Sequence, residues 1–329
     1  MTRRNSLVIA GIAIALLAFG AATARDLGSF GITIMSGLFQ GMLLFLVASG
    51  LSIIFGLMDV LNFAQGNFFM LGAYVSYSLH HSPQMTEAIP DPNLRFLLSV
   101  IAAVVVGGVL GIFLERGLLR PLYSRPLFQL VLTFGVAIVM TEAIKLIWST
   151  TPYSWTALFG FREGFFELFG QRFNTYRLFV IAIGLILIFA IALLLRRTRI
   201  GITIRAGVED SEMVEALGIN VRAVFTLVFM LGCAVAAFGG AIAAPFLGAS
   251  IGMGNTFLLS AIAVVVLGGL GSYEGTAVGS LLVGLAAAVV ANFVSSPAFN
   301  QPVFASMTPM LLMILVLFLR PRGLFGKEV

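Results

Sequence analysis

Charge is scarce in this chain of 329 residues: Asp, Glu, Lys and Arg together make up 10% of it, against roughly 25% in an ordinary soluble domain. Hydrophobic residues fill 60% and the mean hydropathy is +1.07, so polar surface is too short to cover a water-soluble core. Cysteine is nearly absent as well. Cys233 stands alone inside the apolar run Val221 to Leu247, which excludes an intrachain disulfide framework and a cysteine metal site. The two histidines, His80 and His81, are adjacent and have no third ligand nearby; they read as loop residues, and no metal is expected. There is no GxxxxGK[ST] phosphate loop, no nucleophile elbow and no zinc helix, so the chain reads as non-catalytic and holds no cofactor of its own. The net charge of +5 comes from basic residues at the ends of apolar runs instead of one basic patch. A lipid bilayer accounts for that distribution, and no nucleic-acid partner is expected.

What is present in abundance is long apolar runs. A bilayer-spanning helix needs about 20 mostly apolar residues, and runs of this kind lie at Leu7 to Ala22, Ile32 to Leu57, Phe63 to Leu79, Leu94 to Leu114, Leu127 to Ile147, Leu178 to Leu195, Ala223 to Leu247, Phe257 to Leu270, Ala277 to Val294 and Val303 to Leu319. The expectation is an all-α polytopic membrane protein of about ten transmembrane helices. With a cytoplasmic N-terminus, alternate loops on that side carry Arg3 and Arg4; Arg116, Arg120 and Arg125; Arg196, Arg197, Arg199, Arg205 and Arg222; and Arg320, Arg322 and Lys327, thirteen of the nineteen basic residues. Cytoplasmic loops are enriched in Lys and Arg, so both ends are expected in the cytoplasm. The run Phe257 to Leu270 is short, but a re-entrant turn there would move the last basic cluster outside; it is read as a short or broken span. Residues 1–28 are an extra N-terminal helix or, given basic Arg3 and Arg4 and the Ala22-Thr23-Ala24 pattern, a cleaved signal, which would leave nine spans. Residues 29–329 read as one transmembrane domain with a cytoplasmic loop at 196–222.

Four stretches break the rules for membrane sequence. Asp59 to Asn67 places Asn62, Gln65 and Asn67 between two apolar runs with almost no loop. Polar groups at membrane depth must be satisfied by protein or water, so this is either a polar elbow lining a translocation path or a tight cytoplasmic turn with Asn62 capping the next helix. The loop 196–222 contains Glu209, Asp210 and Ser211 as cap and first-turn acid, Met213, Val214 and Leu217 at helical spacing, Glu215 on the polar side, and Gly218 as a stop. It reads as a short amphipathic helix outside the membrane. A helix of two turns is marginal in water, so its apolar face needs a receiver: a groove on a cytoplasmic ATPase, or its own neighbours and the lipid interface. Glu142 and Lys145 lie three apart near the outer end of a helix; the pair reads as structural, with Glu142 also a pathway candidate because ionisable residues inside membranes tend to be functional. Gly268, Gly269, Gly271 and Gly275 crowd one connection, which is a hinge or a tight turn.

Several of these stretches resemble, in order, the branched-chain amino acid permeases of the LivH type, membrane subunits of bacterial ATP-binding-cassette importers. The matching segments are GLMDVLNFAQGNFFMLGAY at Gly56 to Tyr74, ERGLLRPL at Glu115 to Leu122, TRIGITIRAGVEDSEMVEALGIN at Thr198 to Asn220, GGLGSYEGTAVGS at Gly268 to Ser280 and RPRGLFG at Arg320 to Gly326. Arg199, Gly201, Arg205, Glu209, Asp210 and Gly218 fall on matching positions of the cytoplasmic loop. Gln65 stands where the family usually has His, Asn67 where it often has Glu, and Tyr273-Glu274 replace a small apolar-proline pair. The resemblance implies a permease of the bacterial inner membrane that works with a second related permease, two cytoplasmic ATPases carrying ATP and Mg, and an external solute-binding protein. It implies branched-chain amino acids or similar small solutes, with urea and amides transported by the same permease type. An ion-coupled secondary transporter is the alternative on composition alone, but it would place ionisable groups near the bilayer midplane, where this sequence has almost none.

Overall fold

The structure is a computed structural model describing residues 3–23, 26–155, 164–168, 171–209, 211–216, 218–294, 301 and 303–326. Its helices are α1 (Arg3–Thr23), α2 (Leu27–Met58), α3 (Gln65–His81), α4 (Pro83–Ala88), α5 (Pro92–Leu114), α6 (Pro126–Trp148), α7 (Thr175–Arg197), α8 (Arg199–Glu209), α9 (Ser211–Ala216), α10 (Val221–Leu247), α11 (Met253–Gly268), α12 (Tyr273–Val294) and α13 (Val303–Leu319). A π-helical turn, Glu115–Leu119, and a 3-10 turn, Arg120–Leu122, follow α5. Each of the ten apolar runs coincides with a helix. Among the described residues six are long and apolar enough to cross a membrane: Gly28–Met58, Pro92–Leu122, Pro126–Trp148, Thr175–Arg197, Val221–Leu247 and Tyr273–Val294. The apolar parts of α1, α11 and α13 are shorter. At 1.5 Å per residue the 16 residues of α11 reach about 24 Å, less than the roughly 30 Å hydrocarbon layer.

Helix α2 is the axis of the bundle. It is buried from Gly41 through Ile54 and packs against α3, α7, α10, α11 and α12. Its start is fixed by a capping box: Ser29 N–H donates to the Asp26 carboxylate at 2.6 Å and Asp26 N–H donates to Ser29 Oγ at 3.2 Å. Those bonds also hold the Asp26 carboxyl below its usual pKa. Small residues let helices approach closely where lipid supplies no hydrophobic drive between them. A Cβ on Gly284 of α12 would overlap the backbone of Gly41. By contrast, α5 exposes Leu97, Ile101, Val105 and Val109, four residues apart each time, and α6 exposes Leu127, Val131, Phe134 and Ile138. Apolar stripes at helical spacing on the outside of a bundle face lipid.

Three expectations need correction. The protein is not wholly α-helical: Phe165–Leu168 and Gln171–Asn174 form an antiparallel hairpin pairing Phe166 with Phe173 and Glu167 with Arg172, since a connection outside the bilayer is free to use strands. His80 and His81 are not loop residues but the last turn of α3, and His80 is buried with its ring 4.8 Å from that of Trp155. The helical part of the 196–222 loop starts earlier than expected, since its described residues are helical over Arg199–Glu209 (α8) as well as Ser211–Ala216 (α9). Helix α8 is amphipathic, with Ile204 buried and Ile202 exposed.

Gly284→Val should lower the thermal stability of the purified protein by about 2 kcal/mol or more through overpacking against Gly41. Gly135→Val, whose Cβ would meet nothing within 4 Å, should be near neutral. Size-exclusion recovery after a temperature series checks both.

Candidate functional site: the polar elbow and the glycine hinge

The elbow forms because α2 stops at Asp59, which adopts a left-handed conformation (φ 55°) and donates its N–H to the Phe55 carbonyl. The chain then turns back into the bundle. Asn62, Gln65 and Asn67 are all buried, at 1%, 0% and 1% exposure, which fits a buried polar elbow and not a surface turn. Asn62 Oδ1 accepts from Ala64 N–H at 3.1 Å and its Nδ2 donates to Gln65 Oε1 at 3.0 Å. Gln65 Nε2 donates to the Gly232 carbonyl at 2.9 Å; Asn67 Nδ2 donates to the Ala137 carbonyl at 2.8 Å and to Thr141 Oγ1 at 2.7 Å. Gly232 and Ala137 lie midway along α10 and α6, so the elbow clamps the start of α3 to two spanning helices at membrane depth. Hydrocarbon demands such partners of irregular backbone; Asn67 Oδ1 alone among these amide atoms is buried without one. Glu142 is not part of this cluster. Its side chain is 60% exposed and pairs with Lys145 at 2.7 Å.

The four hinge glycines come together at one end of the bundle. Helix α11 stops at Gly268, Gly269 and Gly271 take positive φ (105° and 79°), and Cβ atoms on Gly268 and Gly275 would strike each other's backbone. The carbonyls left open by the end of α11 are met from the far end of the chain: Leu324 N–H donates to Leu267 and Phe325 N–H to Gly268, each at 2.9 Å. The Arg-Pro-Arg-Gly-Leu-Phe-Gly ending is therefore a backbone cap on the hinge, and Leu324 is fully buried there. Tyr273 Oη donates to the Leu187 carbonyl at 3.2 Å, and Glu274 pairs with Arg196, tying the start of α12 to the end of α7. A cavity of about 580 Å³ opens beside this tie, lined by Arg196, Gly271, Tyr273, Glu274 and Phe325 among others. A neighbouring one of about 430 Å³ is bounded by Asp59, Gly207, Leu270 and Gly271.

Helices α8 and α9 sit against this end. Ile204 and Val214 point inward and are buried, while Ile202, Met213 and Ile219 are exposed. Gly201 lies against the last carbonyls of α7 with no room for a side chain. Gly218 (φ 81°) closes α9, donating to the Glu215 carbonyl at 2.9 Å, and Glu215 is exposed. Asp210, Leu217 and the side chains of Arg199, Arg205 and Glu209 lie outside the described residues.

Sequence reasoning assigned no role to Glu115, yet it anchors this end. It is fully buried and accepts from Arg120 Nε at 3.2 Å, Arg120 Nη2 at 3.3 Å, Thr226 Oγ1 at 2.6 Å and the Tyr123 hydroxyl. A buried carboxylate is tolerable only with such partners. Burial, and then the Glu115 carboxylate, push the Tyr123 phenol above its ordinary pKa, so it remains a donor. The available signal was Glu115 at the end of an apolar run with Arg120 five residues on; the Thr226 partner could not be read from spacing.

The family described as "Branched-chain amino acid transport system / permease component" matches residues 33–317. The chain belongs to that family. It is 29% identical over 290 residues to the high-affinity branched-chain amino acid transport system permease protein LivH of Escherichia coli K12, covering 86% of this chain and 91% of that one. It is 30% identical over 302 residues to BraD, the corresponding permease protein of Pseudomonas aeruginosa, covering 89% and 95%. The tyrosine transport system permease protein of Clostridioides difficile is 27% identical over 238 residues, 71% of this chain and 72% of that one. In this permease the end of α2, α8 and the glycine connection after α11 meet around one cavity, bounded by Asp59, Gly207, Leu270 and Gly271.

Gln65→Leu should cost about 1 kcal/mol, the scale of a polar contact between membrane helices. Glu115→Ala should cost more, about 1–3 kcal/mol, by leaving the Tyr123 hydroxyl without its acceptor and removing the Arg120 ion pair, with Glu115→Gln intermediate. Thermal unfolding in detergent measures the order.

Proposed function

We propose that this chain is the membrane-spanning permease subunit of an ATP-binding-cassette importer for branched-chain amino acids or similar small solutes, seated in the inner membrane. Two cytoplasmic ATPase subunits carry ATP and Mg, a second related permease completes the translocation path, and an external solute-binding protein delivers the solute. Membership of the permease family supports the class, and the names of LivH and BraD support the solute. Both ends of the chain face the cytoplasm in this reading, because that orientation puts thirteen of nineteen basic residues on the cytoplasmic side.

The observation that carries the reading is the shared cavity at the cytoplasmic end, whose walls include Gly207 of α8, Asp59 at the end of α2, and Leu270 and Gly271 of the hinge. A push on α8–α9 is delivered to the hinge and to the foot of the elbow at once. The ATPase-coupling segment carries Arg199, Gly201, Arg205, Glu209, Asp210, Glu215 and Gly218, with Gly201 seating it on α7 and exposed Ile202 and Met213 entering a groove on the ATPase. Short amphipathic helices are stable only when something receives their apolar side. Gly268, Gly269, Gly271 and Gly275 then act as the hinge, and Asn62, Gln65 and Asn67 keep α3 locked to α6 and α10 while the surrounding helices move along the pathway.

Purification through a tag on this chain, with mass spectrometry of what accompanies it, tests the assignment. The expected result is recovery of ATPases and a second permease from the native chain, and their loss with Glu209→Lys and Asp210→Lys. A preparation that transports with this chain alone would overturn it in favour of ion-coupled transport.

A further inference from the structure

At the end of the bundle opposite the hinge lies a cavity of about 600 Å³ between α2, α7, α10, α11, α12 and α13, within the roughly 300–1,000 Å³ usual for small-molecule sites. Its walls are mostly apolar, with Leu43, Leu44 and Phe257, and carry a few polar groups, including Gln40, Asn292 and Ser306. One cation faces it. Arg177, in the first turn of α7, stacks its guanidinium on three rings: Phe246 at 4.9 Å, and Phe39 and Phe173 at 5.4 Å each. Its Nη1 makes a long contact to Ser36 Oγ at 3.4 Å, while its Nε is buried without a hydrogen-bond partner. Among the described residues no carboxylate pairs with it, and none lines the cavity.

A half-buried cation with an open donor edge is costly unless an anion completes it. The three ring faces stabilise the charge but leave Nε without a partner and Nη1 with only the long Ser36 contact, and a guanidinium edge matches a carboxylate in geometry and charge. We propose that this cavity is a solute site in the permease itself, in which Arg177 takes the α-carboxylate of an amino acid, Leu43, Leu44 and Phe257 take its apolar side chain, and Gln40 and Asn292 supply acceptors for its ammonium group. The inference rests on the importer reading, which puts this end on the outer side where a delivered solute arrives. It goes further in giving the permease, and not only the binding protein, a part in selecting amino acids over their amides. Arg177 was passed over in the sequence because a single Arg at an outer helix end looks like an interfacial anchor; the three Phe come from distant segments.

The test uses the assembled transporter in vesicles with Ser306→Cys as a reporter, since the native Cys233 is buried and gives no background. L-leucine should slow labelling of that position by a charged thiol reagent, L-leucinamide should not, Arg177→Gln should lose the protection roughly tenfold or more, and Arg177→Lys should retain part of it. Equal protection by the amide, protection indifferent to Arg177→Gln, or no protection by leucine would each overturn the proposal. Protection that follows the anionic-lipid content of the vesicles instead of leucine would also overturn it, assigning Arg177 to a phosphate headgroup. Uptake measured in parallel separates the two readings. Protection without ATP-dependent uptake counts against the importer and leaves the site standing, whereas uptake without protection does the reverse.

Discussion

Hydrocarbon offers no hydrogen bonds, so every place where this chain leaves helical geometry inside the bilayer has to be completed by another part of the same molecule. That requirement governs the elbow and the hinge alike. The elbow is completed laterally, by amide side chains reaching the mid-helix carbonyls of Gly232 and Ala137. The hinge is completed from more than fifty residues away, by the backbone of Leu324 and Phe325. Packing of buried apolar and small residues along α2 holds the bundle together, and these polar contacts complete it at the points where its helices stop.

Those contacts also decide what can move. Asn62, Gln65 and Asn67 bind α3 to α6 and α10 through buried hydrogen bonds in a low-dielectric setting, where breaking one strands a polar group. The opposite is true of the tie between Arg196 and Glu274, both more than half exposed; such pairs contribute little to stability and can be made and broken as the end of α7 and the start of α12 shift. The proposed alternating access therefore asks the elbow to keep its register while the exposed Arg196–Glu274 tie gives way.

Much of this was legible in the sequence. All ten apolar runs are helices, because hydrophobic length is a strong signal and lipid leaves the backbone few alternatives. Gly268, Gly269, Gly271 and Gly275 were visible as a cluster, and Asn62, Gln65 and Asn67 as polar intruders. The geometry behind them was not: whether the elbow was a surface turn or a buried clamp depended on partners 70 and 167 residues away. Glu142, read from the sequence as half of a structural pair and also as a pathway candidate, lies outside the cluster, because one helix position separates Thr141, which faces α3, from the exposed face. Glu115 and Arg177 were underrated for the same reason: their partners, Thr226 and the three Phe rings, are assembled by tertiary packing alone.

In the proposed mechanism the short helices α8 and α9 and the glycine hinge move as one coupled unit. Spin labels at Glu215→Cys and Leu270→Cys, both exposed positions, would report the distance from each to the rigid elbow helix, labelled at a lipid-facing site, in the assembled transporter with and without trapped ATP. The account predicts that both distances shift together by several ångströms between the two states. A shift at Glu215 with none at Leu270, in a transporter that still takes up solute, would contradict it.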